Sequence, residues 1–600
     1  MQALIPYNLK DPRSKALPAC RQAGNPTASS PRHSITTQPH TLGLPGKVTS
    51  FYIVPLHPAH SAGLAGHVPA KDLLNKKSYD MSFNMKETWD SIIIGAGMGG
   101  LTAAAHLVRA GLRVLVLERN PHIGGTAYVY HRKGFVFPMG PLGFSHIVLV
   151  QNTLKDLGVG EDLRFSRVHY RIRAFGLDLS LSLPFTDLVK ESSKSFPAEA
   201  GAVEQFFKHM DDLISKSKPD QGHDISASDY LHNLIKDWRL RCILGSIGTR
   251  EPYSGVPLLA AMWNLMSHEG IWFPQEGMQS FCERLVRAVV GKNDRSSEIR
   301  LNQEVAKIRV DQGKASGVIL RDGTEIDSSS VISNADYKTA FLKLMDSKKV
   351  PPEWYDAVSR ARQTGSVFQV CLGVDAGKAD LSAFKKAGRL IYRKHGENAQ
   401  EKEDLDWNVQ EIDPGALATQ ELEVSLWGKD WDGVVSEGRA PIVIRAEAEY
   451  NHFAKYRLGW RQRSPNYQEY KTRLAHALIR EIVHVVPGLE KAIIVMDVAT
   501  PLTFEDQGGR SGGAVAGWSW DYEDFRDEQP KELIGTPIKG LYMAGYQAFS
   551  ALFMGGVPTA MESGKRAAKA LLQGMGPVER ISIPGVHPVR NRSPKGTAGR

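Results

Sequence analysis

The turn Gly95-Ala96-Gly97-Met98-Gly99-Gly100 and the carboxylate of Glu118, 18 positions past its last glycine, are the residues whose types and spacing point to chemistry. Gly95 permits a tight turn, Gly97 lets the backbone come up against a pyrophosphate, and Gly100 lets a helix pack closely on a strand. A carboxylate at Glu118 can accept hydrogen bonds from a ribose diol. The elements that must hold these groups are legible on either side. Ser91-Ile92-Ile93-Ile94 is an apolar run, as expected of a parallel strand buried on both faces. After the turn, Leu101, Ala104, Ala105 and Val108 recur at helical spacing. Gly111 stops that helix, and Leu112 to Leu117 is a second buried strand ending on Glu118. A lone glycine motif is weak, but strand, turn, helix, strand and acid in register predict a dinucleotide-binding βαβ unit.

Beyond Glu118 the run Arg119-Asn120-Pro121-His122-Ile123-Gly124-Gly125-Thr126 places a second glycine pair after the acid. Adjacent glycines expose backbone N–H groups in a concavity that suits a phosphate or the edge of a ring. On these residues the chain resembles the FAD-dependent amine oxidases and phytoene desaturases, whose first nucleotide unit is followed by such a loop. The departure is Thr126, where many members carry Arg. Met139-Gly140-Pro141 resembles that family's segment beside the flavin, with Pro138 in place of its usual Asp. Pro274-Gln275-Glu276-Gly277-Met278 is similar to its "P-x-G-G-M" loop, with Glu276 for the first Gly. At the other end, Gly540 to Gly545 is a strand entering a tight turn, and Gly555-Gly556-Val557 opens a helix. The resemblance implies FAD as cofactor. It implies contacts from Gly95, Ala96, Gly97, Met98, Gly99, Gly100, Glu118, Arg119, Gly124, Gly125, Thr126, Gly140, Val305, Gly545, Gly556 and Val557. Val305 would lend backbone groups to the adenine. The helix opening at Val557 would aim its positive end at a reduced flavin. Tyr546 departs from the Asp or Glu that many flavoproteins place there.

Six hundred residues are too many for one core, so two or more domains are expected. A net charge of +9 hints at nucleic acid until it is located. Residues 1–85 carry nine Lys/Arg against three Asp/Glu and residues 577–600 five against one, which leaves the body at −1. A nucleic-acid partner therefore has no support. Cys20, Cys242, Cys282 and Cys371 form no CxxC, which argues against a disulfide framework, a zinc site or an iron–sulfur cluster. A reducing, cytoplasmic compartment is expected. Prolines and polar residues interrupt the start from Pro6 onward, so no signal segment is expected. No run of about 18 apolar residues occurs, so no spanning helix is expected either.

Taken in order, residues 1–85 are rich in Pro, Ser, Thr, His and Gly without periodicity, and read as a flexible arm or an extension foreign to the fold, with Met81 or Met85 as the start of the domain. Residues 86–149, 262–345 and 490–575 are assigned to the nucleotide domain, 150–261 and 346–489 to a substrate domain, and 576–600 to a disordered tail. The fold class is α/β: a Rossmann-type FAD domain assembled from discontinuous segments, with an interleaved α+β substrate domain. Helices at 200–214, 227–235 and 470–486 and strands at 367–374, 421–427 and 441–448 belong to the latter. His452, His476 and His484 read as ordinary structural groups.

No acid, base or nucleophile is marked by the sequence. The resemblance is closest to the phytoene desaturase, carotenoid isomerase and retinol saturase branch. It implies an oxidoreductase acting on a long apolar polyene by desaturation, saturation or flavin-assisted isomerisation. An FAD amine oxidase and an escort-type binding protein on the same fold stay open. Because no second nucleotide unit is visible, oxygen or a quinone is the expected electron acceptor. A lipid-dissolved substrate and the missing spanning helix together imply peripheral membrane contact, with Phe144, Ile147, Val148, Leu149, Phe175 and Leu183 as candidates.

Overall fold

The computed structural model describes residues 88–215, 225–252, 255–291, 297–394, 409–428, 438–518, 531–550 and 556–577. The expectations for residues 1–85 and for most of the C-terminal tail fall outside them. The first βαβ unit forms as its sequence requires. Ser91–Ile94 runs parallel to Val114–Leu117, with Ile92, Ile93, Leu115 and Val116 fully buried. Between them lies the helix Met98–Arg109, after which Gly111 turns the chain at φ +89°. Three more parallel strands extend this pair. The order across the five-stranded sheet is Glu298–Arg300, Val114–Leu117, Ser91–Ile94, Val331–Ser333 and Leu541–Met543. Strand neighbours thus come from positions hundreds of residues apart, as the discontinuous assignment anticipates. Val305–Asp311, Lys314–Leu320 and Glu325–Ser328 form an antiparallel meander, completed by Thr88–Trp89.

The second sheet has seven strands. Its order is Ile493–Ala499, Ser366–Asp375, Arg439–Ala448, Leu422–Leu426, Arg389–Tyr392, Tyr170–Ala174 and Leu177–Ser180. Side chains alternate between its faces. Phe368, Val370 and Leu372 share one face with Ile442, Ile444 and Ala446, and bury against Leu474, Leu478 and Ile482 of the helix Tyr467–Ile482. The opposite face carries Gln369, Glu423, Ser425, Arg389 and Arg445, polar residues on strands that are otherwise apolar. Helices Ala200–Ser215, Trp238–Ser246 and Val256–Asn264 close a separate core around Phe206, Phe207, Ile243 and Trp263.

Two segment boundaries fall elsewhere than the sequence reading sets them. Ile493–Ala499 pairs with Ser366–Asp375, so the strand that opens 490–575 belongs to the seven-stranded sheet. Helix Ile147–Asp156 packs Val150 and Leu154 into the core of the nucleotide sheet, although 150 marks the expected start of the substrate part. Two of the membrane candidates are also corrected. Phe144 is buried against Phe165 and Phe281, and Phe175 against Trp238, because the aromatic neighbours that cover them come from distant segments. Of the six candidates, Val148 alone stands well exposed, at 64%.

Candidate functional site

The dinucleotide turn is built by backbone contacts that leave no room for side chains. Gly95 sits at φ +94°, and a β-carbon on Gly100 would lie 2.1 Å from the Gly95 carbonyl oxygen. One on Gly99 would lie 2.7 Å from the Gly545 nitrogen, where the C-terminal turn meets the first. Gly124 and Gly125 both have positive φ, and the Gly124 N–H donates to the Ala96 carbonyl at 2.8 Å. Two glycine loops and the C-terminal turn therefore close on one another. Asn334 stands at their centre: its carboxamide is the first group that a β-carbon on Gly97, Gly99 or Gly545 would meet.

Glu118 is buried at the end of the second strand. Its Oε2 accepts from the Ala96 N–H at 2.8 Å and its Oε1 from the Asn120 N–H at 2.9 Å. Burial raises its pKa, and the two N–H groups work against that rise. A carboxylate has about four acceptor sites, so two remain for a diol. Arg119 Nη2 donates to the Asp506 carbonyl at 2.9 Å and lies close to Gly509.

Gly97, Met98, Gly99, Gly124, Gly125, Thr126, Gly140, Gly545, Gly556 and Val557 line a single cleft, although they lie as far apart in sequence as 97 and 557. Gly95, Ala96, Gly100, Glu118, Arg119 and Val305 stand outside its lining. Gly95, Ala96 and Gly100 form the turn beneath it, and Val305 starts the meander. Thr126 has a partner that the sequence does not announce. Arg510 Nη2 donates to its hydroxyl at 2.8 Å, so a guanidinium stands against residue 126 after all, supplied from 384 positions along the chain. Arg510 also stacks on Tyr546, 4.2 Å from the ring centre, and its Nη1 donates to the Ala514 and Val515 carbonyls. Tyr546 Oη is buried in the cleft wall without a hydrogen-bond partner among the described residues.

The far wall comes from the seven-stranded sheet. Arg389, Glu423, Arg445 and Tyr170 line the cleft there. Arg389 Nη1 lies 3.2 Å from Glu423 Oε1 and also reaches the Tyr170 hydroxyl, while Nε donates to Ser425 Oγ at 3.1 Å. Arg445 Nε donates to Gln369 Oε1 at 2.7 Å and its Nη2 to the Gly140 carbonyl. Burial draws the pKa of both Arg445 and Arg510 down. Apolar side chains, among them Leu142, Phe144, Ile271, Val367 and Phe504, fill the rest of the lining.

Glycine loops that exclude side chains, a half-satisfied carboxylate and an orphaned phenol at the cleft wall fit a dinucleotide whose far end reaches between the two sheets. Comparison with known proteins agrees. The sequence model of the flavin containing amine oxidoreductase family matches residues 98–432. The chain belongs to that family. It is an FAD-dependent oxidoreductase by fold class and cofactor. It is 26% identical over 510 residues to chloroplastic prolycopene isomerase of Daucus carota, covering 77% of each chain. It is 25% identical over 562 residues to phytoene desaturase of Fusarium fujikuroi, covering 84% of this chain and 92% of that one. It is also 23% identical over 533 residues to the inactive all-trans-retinol 13,14-reductase of Danio rerio, covering 81% and 86%. Among solved structures, an oxidoreductase from Methanosarcina mazei shares the fold with a TM-score of 0.53 at 16% identity, over 80% of this chain and 99% of that one. Putrescine oxidase bound to putrescine does so at 0.52 and 17%, over 82% and 100%.

Proposed function

We propose that this flavoenzyme acts on a long conjugated polyene, by desaturation, saturation or double-bond isomerisation. The observation that carries the reading is the composition of the cleft beyond the glycine loops: apolar side chains with a cationic floor, Arg389, Arg445 and Arg510 against Glu423, the single carboxylate among the described lining residues. The three named relatives, whose names refer to prolycopene, phytoene and retinol, support it. An amine substrate is disfavoured, because a protonated amine would meet excess positive charge in a low-dielectric space. An escort-type binder would not need every glycine of the turn.

In this reading Gly97 to Gly100 would hold the pyrophosphate of FAD, Glu118 its ribose, Val305 its adenine, and Gly124, Gly125, Thr126, Gly140, Gly545, Gly556 and Val557 its ring end. Bound there, the flavin supplies hydride exchange with a substrate C–H. The chain's own residues do the rest. Leu142, Phe144, Val367 and Phe504 exclude water and orient an apolar chain. The N-terminus of helix Gly556–Leu572 and Arg510 place positive charge at the cleft wall. The nucleotide domain then comprises the five-stranded sheet and the meander, and the substrate domain the seven-stranded sheet with the 185–264 helices. No helix among the described residues is long and apolar enough to cross a membrane, so substrate reaches the cleft through peripheral contact, with Val148 as one exposed apolar point. In desaturation the two electrons taken from the substrate would pass to oxygen or a quinone, whereas saturation would need an external reductant and isomerisation no net electron transfer. Anaerobic mixing of oxidised enzyme with candidate polyenes tests the reading. Bleaching of the flavin's visible absorbance in step with a longer conjugated product establishes desaturation. Conversion by the pre-reduced enzyme alone replaces it with saturation or isomerisation, and no conversion in either state refutes a polyene substrate.

A further inference from the structure

The seven-stranded sheet presents to the cleft a charge that its own residues do not balance. Arg389 and Arg445 stand on its inner face, and Glu423, opposite Arg445 in the strand register, is the carboxylate between them. Glu423 is only 8% exposed, and its Oε1 lies within ion-pair distance of Arg389 without a well-formed hydrogen bond. Glu447, two positions from Arg445 on the same strand and face, is already engaged by Arg250 at 2.6 Å. Arg389 is spoken for by Glu423, Ser425, Tyr170 and the Leu142 carbonyl. Arg445 is not: Nε and Nη2 have partners, and its Nη1 makes no hydrogen bond among the described residues. Two guanidinium groups against one carboxylate leave an excess positive charge at the cleft wall, which a ligand anion would offset. The free Nη1 of Arg445 offers N–H donors for a charge-assisted hydrogen bond to a carboxylate.

We propose that this cleft binds an acid: the substrate carries a carboxylate at one end of its apolar chain, and Arg445, backed by Arg389, holds it. The proposal rests on the polyene reading above for the chain, and on the sheet's own residues for the anion.

The test uses the oxidised, FAD-loaded enzyme and follows quenching of tryptophan fluorescence by three ligands: all-trans-retinoic acid, all-trans-retinol and oleate. Retinoic acid is expected to bind more tightly than retinol. Arg445→Met should weaken retinoic acid about 10- to 100-fold, the loss of a charge-assisted pair, while retinol changes by no more than about twofold. Glu423→Gln, nearly isosteric, removes the competing anion and should tighten acid binding several-fold. A merely structural role for these residues gives no such gain. Equal affinity for acid and alcohol, equal loss of both in Arg445→Met, or no tightening in Glu423→Gln overturns the proposal while leaving the polyene reading intact. Arginine-dependent binding of oleate without either retinoid keeps the anion site and refutes the polyene. Failure of both acids to bind refutes the anion site. A shift of the flavin's midpoint potential in Arg445→Met with acid affinity unchanged would reassign the excess charge to the flavin and likewise overturn it.

Discussion

Glu118 holds two backbone N–H groups, those of Ala96 and Asn120, in addition to any diol it accepts. Its removal therefore costs stability even without a cofactor. In flavin-stripped protein, Glu118→Ala should lose about 2–6 kcal/mol in a urea melt, because each of the two buried donors left without an acceptor costs about 1–3 kcal/mol. Glu118→Gln, which keeps one acceptor oxygen, should lose less. Equal stability of Glu118→Ala and the parent would mean that neither bond contributes. Gly100 is constrained more severely than Gly97. A β-carbon at Gly100 would stand 2.1 Å from a main-chain oxygen, whereas at Gly97 it would stand 2.8 Å from the end of the Asn334 side chain, which can swing away. Gly100→Ala should accordingly yield little folded protein, and Gly97→Ala a folded protein with weakened FAD binding. If both variants retain full flavin content on purification, the turn is not where the pyrophosphate rests.

The helices Met98–Arg109 and Gly556–Leu572 cross where a β-carbon on Gly564 would lie 2.2 Å from the Gly99 carbonyl. Gly564→Leu should push the closing helix off the first and carry Gly556 and Val557 out of line, so flavin affinity falls with a Tm loss that added FAD does not fully restore. His106 lies on the first helix with its Nε2 buried and unpartnered. Burial, then the charges of Lys565 and Arg109, draw its pKa down to about 4, while Asp156 and Glu562 oppose them. The folded chain thus takes up this proton later than the unfolded chain, whose histidine titrates near 6.5. Stability should fall as pH drops from 6.5 toward 4, by about 1–2 kcal/mol at pH 5 after allowance for partial solvent access. His106→Leu should flatten that slope, and an unchanged slope would place the titration elsewhere. The first helix, its turn and its strands were legible in sequence because every constraint on them is local. Arg389, Glu423 and Arg445 were not, because a polar residue at every second position of a strand ordinarily marks a solvent face. Here that face looks into a cleft whose other walls come from segments spread between Gly97 and Ala560. Arg510 escaped for the same reason: no local pattern ties it to Thr126, and only the folded chain brings them together.

Gln369, Arg389 and Arg445 reach from one sheet to the carbonyls of Pro138, Leu142 and Gly140 in the segment beside the glycine loops. The two sheets are thereby tied across the cleft, and a ligand lying between them should stabilise both. Refilling stripped protein with FAD at about 100 times its Kd should add about 2.7 kcal/mol, in one cooperative transition. Two separate melts, only one of them moved by FAD, would show the sheets to be uncoupled.

The order in which the ribosome releases the chain gives the parallel sheet a timetable. Strand Leu541–Met543 completes it, and the cleft needs Gly545 and the helix from Gly556 as well. At roughly 5–20 residues per second, the first glycine turn waits through most of synthesis before its last neighbours emerge. Flavin loading is thus a late event, and a chain truncated between Ser333 and Leu541 leaves the Val331–Ser333 edge without the strand that pairs with it in the whole chain. Partial translation products of this protein should be cleared by chaperones or proteases rather than accumulate as partly loaded enzyme.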